Sequence, residues 1–175
     1  AYSLDKDGSE RFELFFFDIE SGKQISDSIR NTAGEVVWDS KNQGFLYVVL
    51  NDQWRPFKAL YRDLNSEKPD ITIYEEQDTS FFVDIHGSQS DSFAFISTGD
   101  HVTNQTFYLP RTQLFGKPKP ITDRSENHEY YVDHDGRQFV IRSNLRHQNF
   151  DLFTTDVGSQ TTQVWELLHA GSDEE

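Results

Sequence analysis

The chain has 175 residues, and its 30 acidic against 16 basic residues give a formal net charge of −14. A surface this negative repels phosphate backbones and anionic lipids, which disfavours nucleic acid and membrane partners. The sequence contains no cysteine, which excludes disulfides and thiolate metal sites and suits a reducing compartment, so we predict a cytoplasmic protein. It starts with Ala1 and contains no methionine, which indicates an excised segment.

The apolar composition favours strands over helices. Fifteen phenylalanines and seven tyrosines dominate it, and aromatic side chains suit the pleated, half-buried surface of a sheet. The sequence contains no apolar run long enough to cross a bilayer as a helix. An all-β fold is therefore the first expectation.

Three segments with one pattern recur along the chain. Residues 35–39, 80–84 and 129–133 each consist of a polar residue, three apolar residues and an aspartate. The aspartates, Asp39, Asp84 and Asp133, are 45 and 49 positions apart, a period typical of one four-stranded propeller blade. A helical repeat of similar length is excluded, because every unit breaks into short aromatic or β-branched runs separated by turn residues.

Taken in chain order, the predicted strands describe an all-β propeller fragment of about three and a half four-stranded antiparallel blades. The opening half-blade has strands at residues 12–18 and 20–25. Three complete blades follow, with strands at residues 35–39, 45–51, 57–64 and 71–76; 80–85, 93–97, 105–109 and 120–122; and 129–134, 138–143, 150–156 and 163–168. The predicted units are residues 1–30 (end of one blade), 31–77, 78–124 and 125–170 (one blade each) and 171–175 (a tail).

An incomplete ring leaves the faces of its first and last blades without neighbours. We expect aromatic residues such as Phe12, Phe15 and Trp165 to be exposed there, and exposed apolar surface favours association. Self-association of the chain is therefore predicted, with an open monomeric arc as the alternative.

Several segments resemble oligopeptidase B, a member of the prolyl oligopeptidase family of serine peptidases. They occur in consistent order between residues 2 and 168 and include residues 5–14, 37–39, 47–58, 74–76, 80–83, 128–130, 142–144 and 149–150. The sister family, prolyl oligopeptidase, shares the propeller, but Arg55-Pro56 and residues 74–76 fit oligopeptidase B better.

The resemblance implies a seven-bladed propeller that covers a C-terminal α/β-hydrolase domain and limits access to short peptides, which are cleaved after Arg or Lys. The nucleophile elbow of such a domain has the form Gly-x-Ser-x-Gly, and no such run occurs in this sequence. We therefore predict no catalytic residue and no cofactor in this chain, and we expect it not to be an enzyme by itself. Its expected partners are the hydrolase domain and, in the longer protein, short basic peptides.

Carboxylates of the recurring segments are the candidate functional residues. Asp39, Asp84 and Asp133 recur once per blade at the end of the innermost strand, where aspartate also serves as ordinary turn chemistry. Together with Glu35 and Glu129 they would make the central channel or its rim negative and steer Arg- or Lys-containing peptides.

Other polar clusters have structural interpretations. Ser88 and Ser90 lie in a predicted hairpin turn without the second glycine of a nucleophile elbow. His128 and His134 are three pleats apart on one strand, roughly 20 Å, which is too far to chelate one metal ion. The loop around Asp5 lacks the ligands that a calcium site requires.

Two further classes of propeller remain to be compared with the peptidase interpretation. A free-standing propeller that acts as a scaffold for protein partners is the alternative function. A glycan-cleaving or glycan-binding propeller is disfavoured, because its Ser-x-Asp-x-Gly-x-Thr-Trp boxes do not occur in this sequence.

Overall fold

The computed structural model describes residues 1–172, which form fourteen strands in antiparallel sheets. The strands are β1 (Tyr2–Leu4), β2 (Phe12–Phe15), β3 (Ile29–Trp38), β4 (Gly44–Leu50), β5 (Pro56–Asp63), β6 (Ile71–Glu75), β7 (Phe82–Gly87), β8 (Phe93–Gly99), β9 (Asn104–Pro110), β10 (Lys119–Pro120), β11 (Tyr130–His134), β12 (Phe139–Ser143), β13 (Asp151–Thr155) and β14 (Glu166–His169). Two 3₁₀ turns lie at Arg111–Gln113 and Thr162–Val164. Within residues 1–172, no helix has the length and apolar character needed to cross a membrane.

Three four-stranded meanders follow one another along the chain: β3 to β6, β7 to β10 and β11 to β14. In each of them, strands that are neighbours in sequence pair antiparallel. The first hairpin of each meander contains a residue with positive φ, at Asn42, Asp91 and Gly136, which are residue types that tolerate this backbone conformation. The prediction of an all-β fold built from four-stranded blades is confirmed.

The opening half-blade differs from its prediction. Residues 20–25 form no strand, because Asp18 accepts the amides of Ser21 and Gly22 and closes a turn, and only an isolated bridge joins Phe17 to Gln24. The strand beside β2 is instead the first part of β3, in which Ile29 pairs with Leu14. The unpredicted β1 lies on the other side of β2.

β3 therefore belongs to two blades. Its first residues pair with β2, and after an irregularity between Thr32 and Val36 its last residues pair with β4. Gly34 lies in this irregular stretch with φ of 101°, and a Cβ there would approach the Phe12 ring to 2.9 Å. β3 thus runs through the predicted border at residue 30. Residues 173–175 of the predicted tail lie outside the described residues.

The core consists of apolar layers between successive blades. One layer packs the half-blade against β4, a second packs the β3–β6 blade against the β7–β10 blade, and a third packs the β7–β10 blade against the β11–β14 blade. Leu46 and Ile96 represent the second layer, and Phe95 and Phe139 represent the third; all four side chains are fully buried. Each blade is thus stabilised by its neighbours along the arc.

The exposure predicted for Trp165 is wrong. Trp165, which directly follows the 3₁₀ turn at Thr162–Val164, is buried in the third layer because its ring packs against Tyr130 and Phe153. Phe12 and Phe15 are half-buried. The large apolar residues that are exposed near the two ends of the arc include Tyr2, Leu4 and Ile19 at one end and Tyr131 and Leu168 at the other. Self-association stays a prediction.

Gly44, the first residue of β4, lies against the side chain of Tyr61. A Cβ at Gly44 would come within 2.2 Å of the Tyr61 hydroxyl and 2.6 Å of the Arg62 carbonyl. We expect Gly44→Ala to lower the free energy of unfolding by about 1–3 kcal/mol, the usual cost of overpacking, in urea denaturation. Gly87→Ala is the control, since a Cβ there would meet only Val37 at 3.8 Å. Equal stabilities of the two variants would contradict this packing argument.

Candidate functional site

The first strands of the three complete blades, β3, β7 and β11, lie next to one another. β3 packs against β7, and in β7 the His86 Nε2 atom is 3.4 Å from the carbonyl oxygen of Val132 in β11. Each of these strands runs into the hairpin that joins it to the second strand of its blade. We call this end of the sheets the hairpin end. The five candidate carboxylates lie on or beside these three strands.

Only one of the three recurring aspartates occupies the turn position predicted for it. The amides of Asp39, Ser88 and Asp135 donate to the carbonyls of Gly44, Phe93 and Gln138, so these three residues open the three hairpins. The side chain of each accepts backbone amides of its own turn. The equivalent residues are therefore Asp39, Ser88 and Asp135.

Asp84 and Asp133 lie inside strands and not at strand ends. Asp84 is opposite Ser97 in the middle of β7, and its side chain is exposed and makes no hydrogen bond or ion pair with residues 1–172. Asp133 is half-buried, and its Oδ1 atom accepts the amides of Gln89 and His134. Asp133 thus ties the hairpin of one blade to the first strand of the next, whereas the Asp84 carboxylate is free to act on solutes.

The two glutamates differ in position: Glu35 lies four residues before Asp39, as Asp84 lies four residues before Ser88, whereas Glu129 lies at the end of its strand away from the hairpin. Glu35 is exposed on β3, and its carboxylate makes no hydrogen bond or ion pair with the described part of the chain. Glu129 is half-buried just before β11, where its amide donates to Asn144 Oδ1 at 2.9 Å. The five candidates therefore do not form one cluster at the hairpin end. They are distributed along the first strands, and Glu35 and Asp84 are the most accessible.

A serine–histidine contact occurs at the hairpin end, but its geometry is that of a structural bond. Ser90 Oγ lies 2.7 Å from His134 Nδ1 and 3.0 Å from Ser88 Oγ. The Gly136 amide also donates to His134 Nδ1, so this nitrogen is shared between the Ser90 hydroxyl and a backbone amide, and the His134 ring is buried. Ser88 Oγ accepts the amides of Ser92 and Phe93. These contacts join two neighbouring hairpins, which supports the interpretation of this segment as a turn.

The histidines considered for metal binding are both buried. His128 Nε2 is 2.8 Å from Ser143 Oγ, and burial lowers the pKa of His128 below its usual value. Its ring packs against Tyr130 and Trp165. Among residues 1–172, no group of three or more His, Asp or Glu side chains is arranged to hold a metal ion.

Sequence reasoning missed a buried polar cluster around Glu76. The Oε2 atom of Glu76 accepts hydrogen bonds from Arg124, Thr98 and Tyr74, and its Oε1 atom accepts the Asp78 amide. Burial alone would raise the pKa of Glu76, but these hydrogen bonds, above all the one from Arg124, outweigh it and lower the pKa to about 2. The cluster joins residues of three different segments.

Arg55 and Arg124 hold the loop that follows Glu76. Arg55 is buried and donates to the carbonyls of Glu76, Asp78 and Phe81. The Arg124 guanidinium carbon lies 4.1 Å from the centre of the Phe81 ring. Several of these residues belong to the segments that resemble oligopeptidase B. The resemblance therefore marked residues that have a structural role, because they hold the loop that connects two blades.

The repeated four-stranded blades are those of a β-propeller, and comparison with known proteins identifies the propeller family. A model of the prolyl oligopeptidase N-terminal β-propeller domain matches residues 1–173. The chain belongs to this family, which confirms the predicted resemblance. The match is to the propeller domain alone, and the chain spans about a quarter of the length of the curated relatives it matches.

Individual relatives agree with this assignment. Dipeptidyl aminopeptidase BI of Pseudoxanthomonas mexicana is 26% identical over 99% of this chain and 24% of the relative. Protease 2 of Moraxella lacunata is 24% identical over 94% of this chain and 24% of the relative. The structure of oligopeptidase B from Leishmania major superposes with a TM-score of 0.88 at 22% identity, over 97% of this chain and 24% of that protein. At this identity the superposition shows the fold.

Proposed function

We propose that this chain is a non-catalytic part of the propeller of an oligopeptidase B-like serine peptidase, and that it controls the access of short basic peptides to an α/β-hydrolase domain. Membership of the propeller family supports the class of protein. The accessible carboxylates of Glu35 and Asp84, on strands that adjoin one another, are the observation that supports attraction of cationic peptides. The chain contributes exclusion and steering, and the hydrolase domain contributes the chemistry.

Steering follows from the charge of the chain and the position of these carboxylates. A net charge of −14 produces a long-range field that attracts cations. Carboxylates on protein walls that exclude water focus this field and raise the local concentration of Arg- or Lys-containing peptides. Asp39 and Asp133 add charge, but each already uses one oxygen to hold backbone amides. We therefore expect Glu35 and Asp84 to contribute more to capture.

The test compares two double variants of the full-length peptidase that carry the same change in charge. The first variant, Glu35→Gln with Asp84→Asn, removes the two accessible carboxylate charges from the first strands. The second variant, Glu67→Gln with Glu166→Gln, removes the charges of two exposed glutamates elsewhere, in the β5–β6 loop and on the last strand β14. We expect the first pair to lower kcat/KM for an Arg-based peptide about 3-fold to 10-fold at low salt. The difference should vanish near 1 M salt, where charges are screened within about 3 Å.

The control pair should change kcat/KM much less, because its carboxylates do not line the first strands. Loss of kcat with unchanged salt dependence in the first pair would contradict steering, and so would equal effects of the two pairs. Asp39→Asn with Asp133→Asn retains the oxygens that accept the backbone amides, so this variant separates the contribution of charge from that of the turn.

A further inference from the structure

A cleft lies between the β3–β6 blade and the β7–β10 blade. One of its walls consists of residues of β5, β6 and the loop between them, and the other wall is Phe115, in the loop between β9 and β10. The Leu64 amide donates to the carbonyl of Gln43 in the β3–β4 hairpin, which places the cleft at the hairpin end. Its volume is about 330 Å³, at the lower end of the range for ligand pockets.

The walls of this cleft are mainly apolar. The ring centres of Tyr61 and Phe115 are 5.8 Å apart, and the two rings are tilted by 55°. Pro69 and Ile71 line the cleft beside them. Phe115 is 54% exposed and Ile71 is 48% exposed, so the cleft presents apolar surface to water. An apolar group of a ligand would remove this surface from water, which favours binding.

Contacts within the fold hold both aromatic walls in place. The Tyr61 hydroxyl donates to Asp39 Oδ2 at 3.2 Å. Phe115 lies just after the 3₁₀ turn that begins at Arg111, and Arg111 Nε donates to the carbonyl of Trp38 in the neighbouring blade at 2.7 Å. Little order has to be gained when a ligand enters, and such preorganisation favours binding.

The β5–β6 loop brings two opposite charges to the same cleft. Lys68 is exposed, and its ammonium makes no hydrogen bond or ion pair with residues 1–172. Asp63 is also exposed, and it uses only its Oδ1 atom, which accepts the Asn65 amide at 2.8 Å. The net charge of −14 repels a ligand that is only anionic, but it exerts no net force on a ligand that carries both charges.

We propose that this cleft binds a small zwitterion with an apolar side chain, which is the chemistry of a free apolar amino acid. The side chain of the ligand lies against Tyr61 and Phe115, its carboxylate pairs with Lys68, and its ammonium pairs with Asp63. This inference does not rest on the proposed function, because none of the five candidate carboxylates lines the cleft.

Titration of the chain with phenylalanine, followed through the backbone amide resonances of Ile71 and Phe115, tests the proposal. We expect saturable shifts with a dissociation constant of roughly 1 mM, as suits a ligand of about a dozen heavy atoms. The control ligand is N-acetyl-phenylalaninamide, which has the same ring and neither charge. It should bind about 5-fold more weakly or worse, because two exposed ion pairs are lost.

Two pairs of variants locate the site. Phe115→Ala should weaken the binding of phenylalanine about 10-fold, because it removes one aromatic wall. Phe82→Ala, at a similarly exposed phenylalanine outside the cleft, should leave the binding unchanged. Lys68→Gln should weaken binding about 2-fold to 5-fold, the value of one exposed ion pair. Lys117→Gln is its control, since Lys117 is exposed but does not line the cleft.

The resonances of Tyr130 and Phe139, which lie in another layer of the core, report whether each variant is folded. Saturable binding that is weakened by Phe115→Ala and Lys68→Gln alone supports the proposal. The absence of saturable shifts in the parent chain overturns it. Equal affinities for phenylalanine and its uncharged analogue also overturn it, and so do equal losses in the two lysine variants.

Discussion

Replacing Glu76 by alanine is expected to lower the free energy of unfolding by about 3–5 kcal/mol, the usual cost of breaking a buried ion pair. The side chain is 6% exposed, and its oxygens accept hydrogen bonds from Arg124, Thr98, Tyr74 and the Asp78 amide. Alanine would leave these donors without an acceptor in a site that water does not readily reach. Urea denaturation of the two chains measures the difference.

The neighbouring Glu75 provides the control. Its carboxylate is 38% exposed and pairs with Lys58 at 2.8 Å, so Glu75→Ala is expected to cost less than about 1 kcal/mol. Comparable losses from the two alanine variants would contradict a special role for Glu76.

The contribution of Glu76 should also depend on pH. Its pKa in the folded chain is about 2, below the ordinary value of 4.5, so the folded state binds its proton less readily than the unfolded state does. The stabilisation is therefore complete above about pH 5 and is lost as the pH falls towards 2. The difference in stability between the parent chain and Glu76→Ala should shrink over this range. A difference that stays constant from pH 6 to pH 3 would contradict the ionised carboxylate as its source.

Replacing Phe139 by alanine is expected to cost about 3–5 kcal/mol, the range found for large aromatic residues in a packed core. Phe139 is fully buried between two blades. Its ring centre lies 5.0 Å from that of Tyr108, 5.4 Å from that of Phe93 and 5.9 Å from that of Phe95. Truncation removes contacts on both sides of the interface and leaves a cavity. Thermal and urea unfolding measure the loss.

Phe82→Ala is the matched control for this substitution. Phe82 is the first residue of β7, as Phe139 is of β12, but the Phe82 side chain is 52% exposed. We expect its replacement to cost about 1 kcal/mol or less, because most of its surface is already in water. If Phe139→Ala were as mild as Phe82→Ala, the layer between these two blades would not be a main source of stability.

The blades could be predicted from the sequence because two patterns repeat, one with the period of a whole blade and one with the length of a single strand. The recurring aspartates established the period, and short aromatic runs between turn residues established the strands, most of which differ from the observed bounds by only one or two residues. The opening could not be read in this way. Tyr2–Leu4 is too short for a periodic pattern, and β3 continues from one blade into the next without an intervening turn signal.

The site was harder to predict, because it depends on register. Asp84 and Asp133 align with Asp39 in sequence, but the hairpin opens four residues after Asp84 and two after Asp133. The alignment by aspartates therefore concealed the true turn positions, Ser88 and Asp135. Glu76 was marked only by the resemblance of residues 74–76 to oligopeptidase B, and its burial was not predicted, since a charged residue beside Glu75 is typical of an exposed strand. Two of the side chains that bond to it, Thr98 and Arg124, are 22 and 48 positions away in sequence.

Hydrolysis of Arg- and Lys-based fluorogenic peptides tests the central claim, that this chain contributes peptide capture and not chemistry, most directly. The assay compares the purified chain with the longer polypeptide that contains it and adds a reagent that blocks serine nucleophiles. We expect turnover by the longer polypeptide that the reagent abolishes, and no turnover by the chain alone, since its Ser90–His134 contact is a structural bond at a hairpin. Turnover by the chain that persists through purification to homogeneity would contradict the account, as would a longer polypeptide that cleaves no basic peptide.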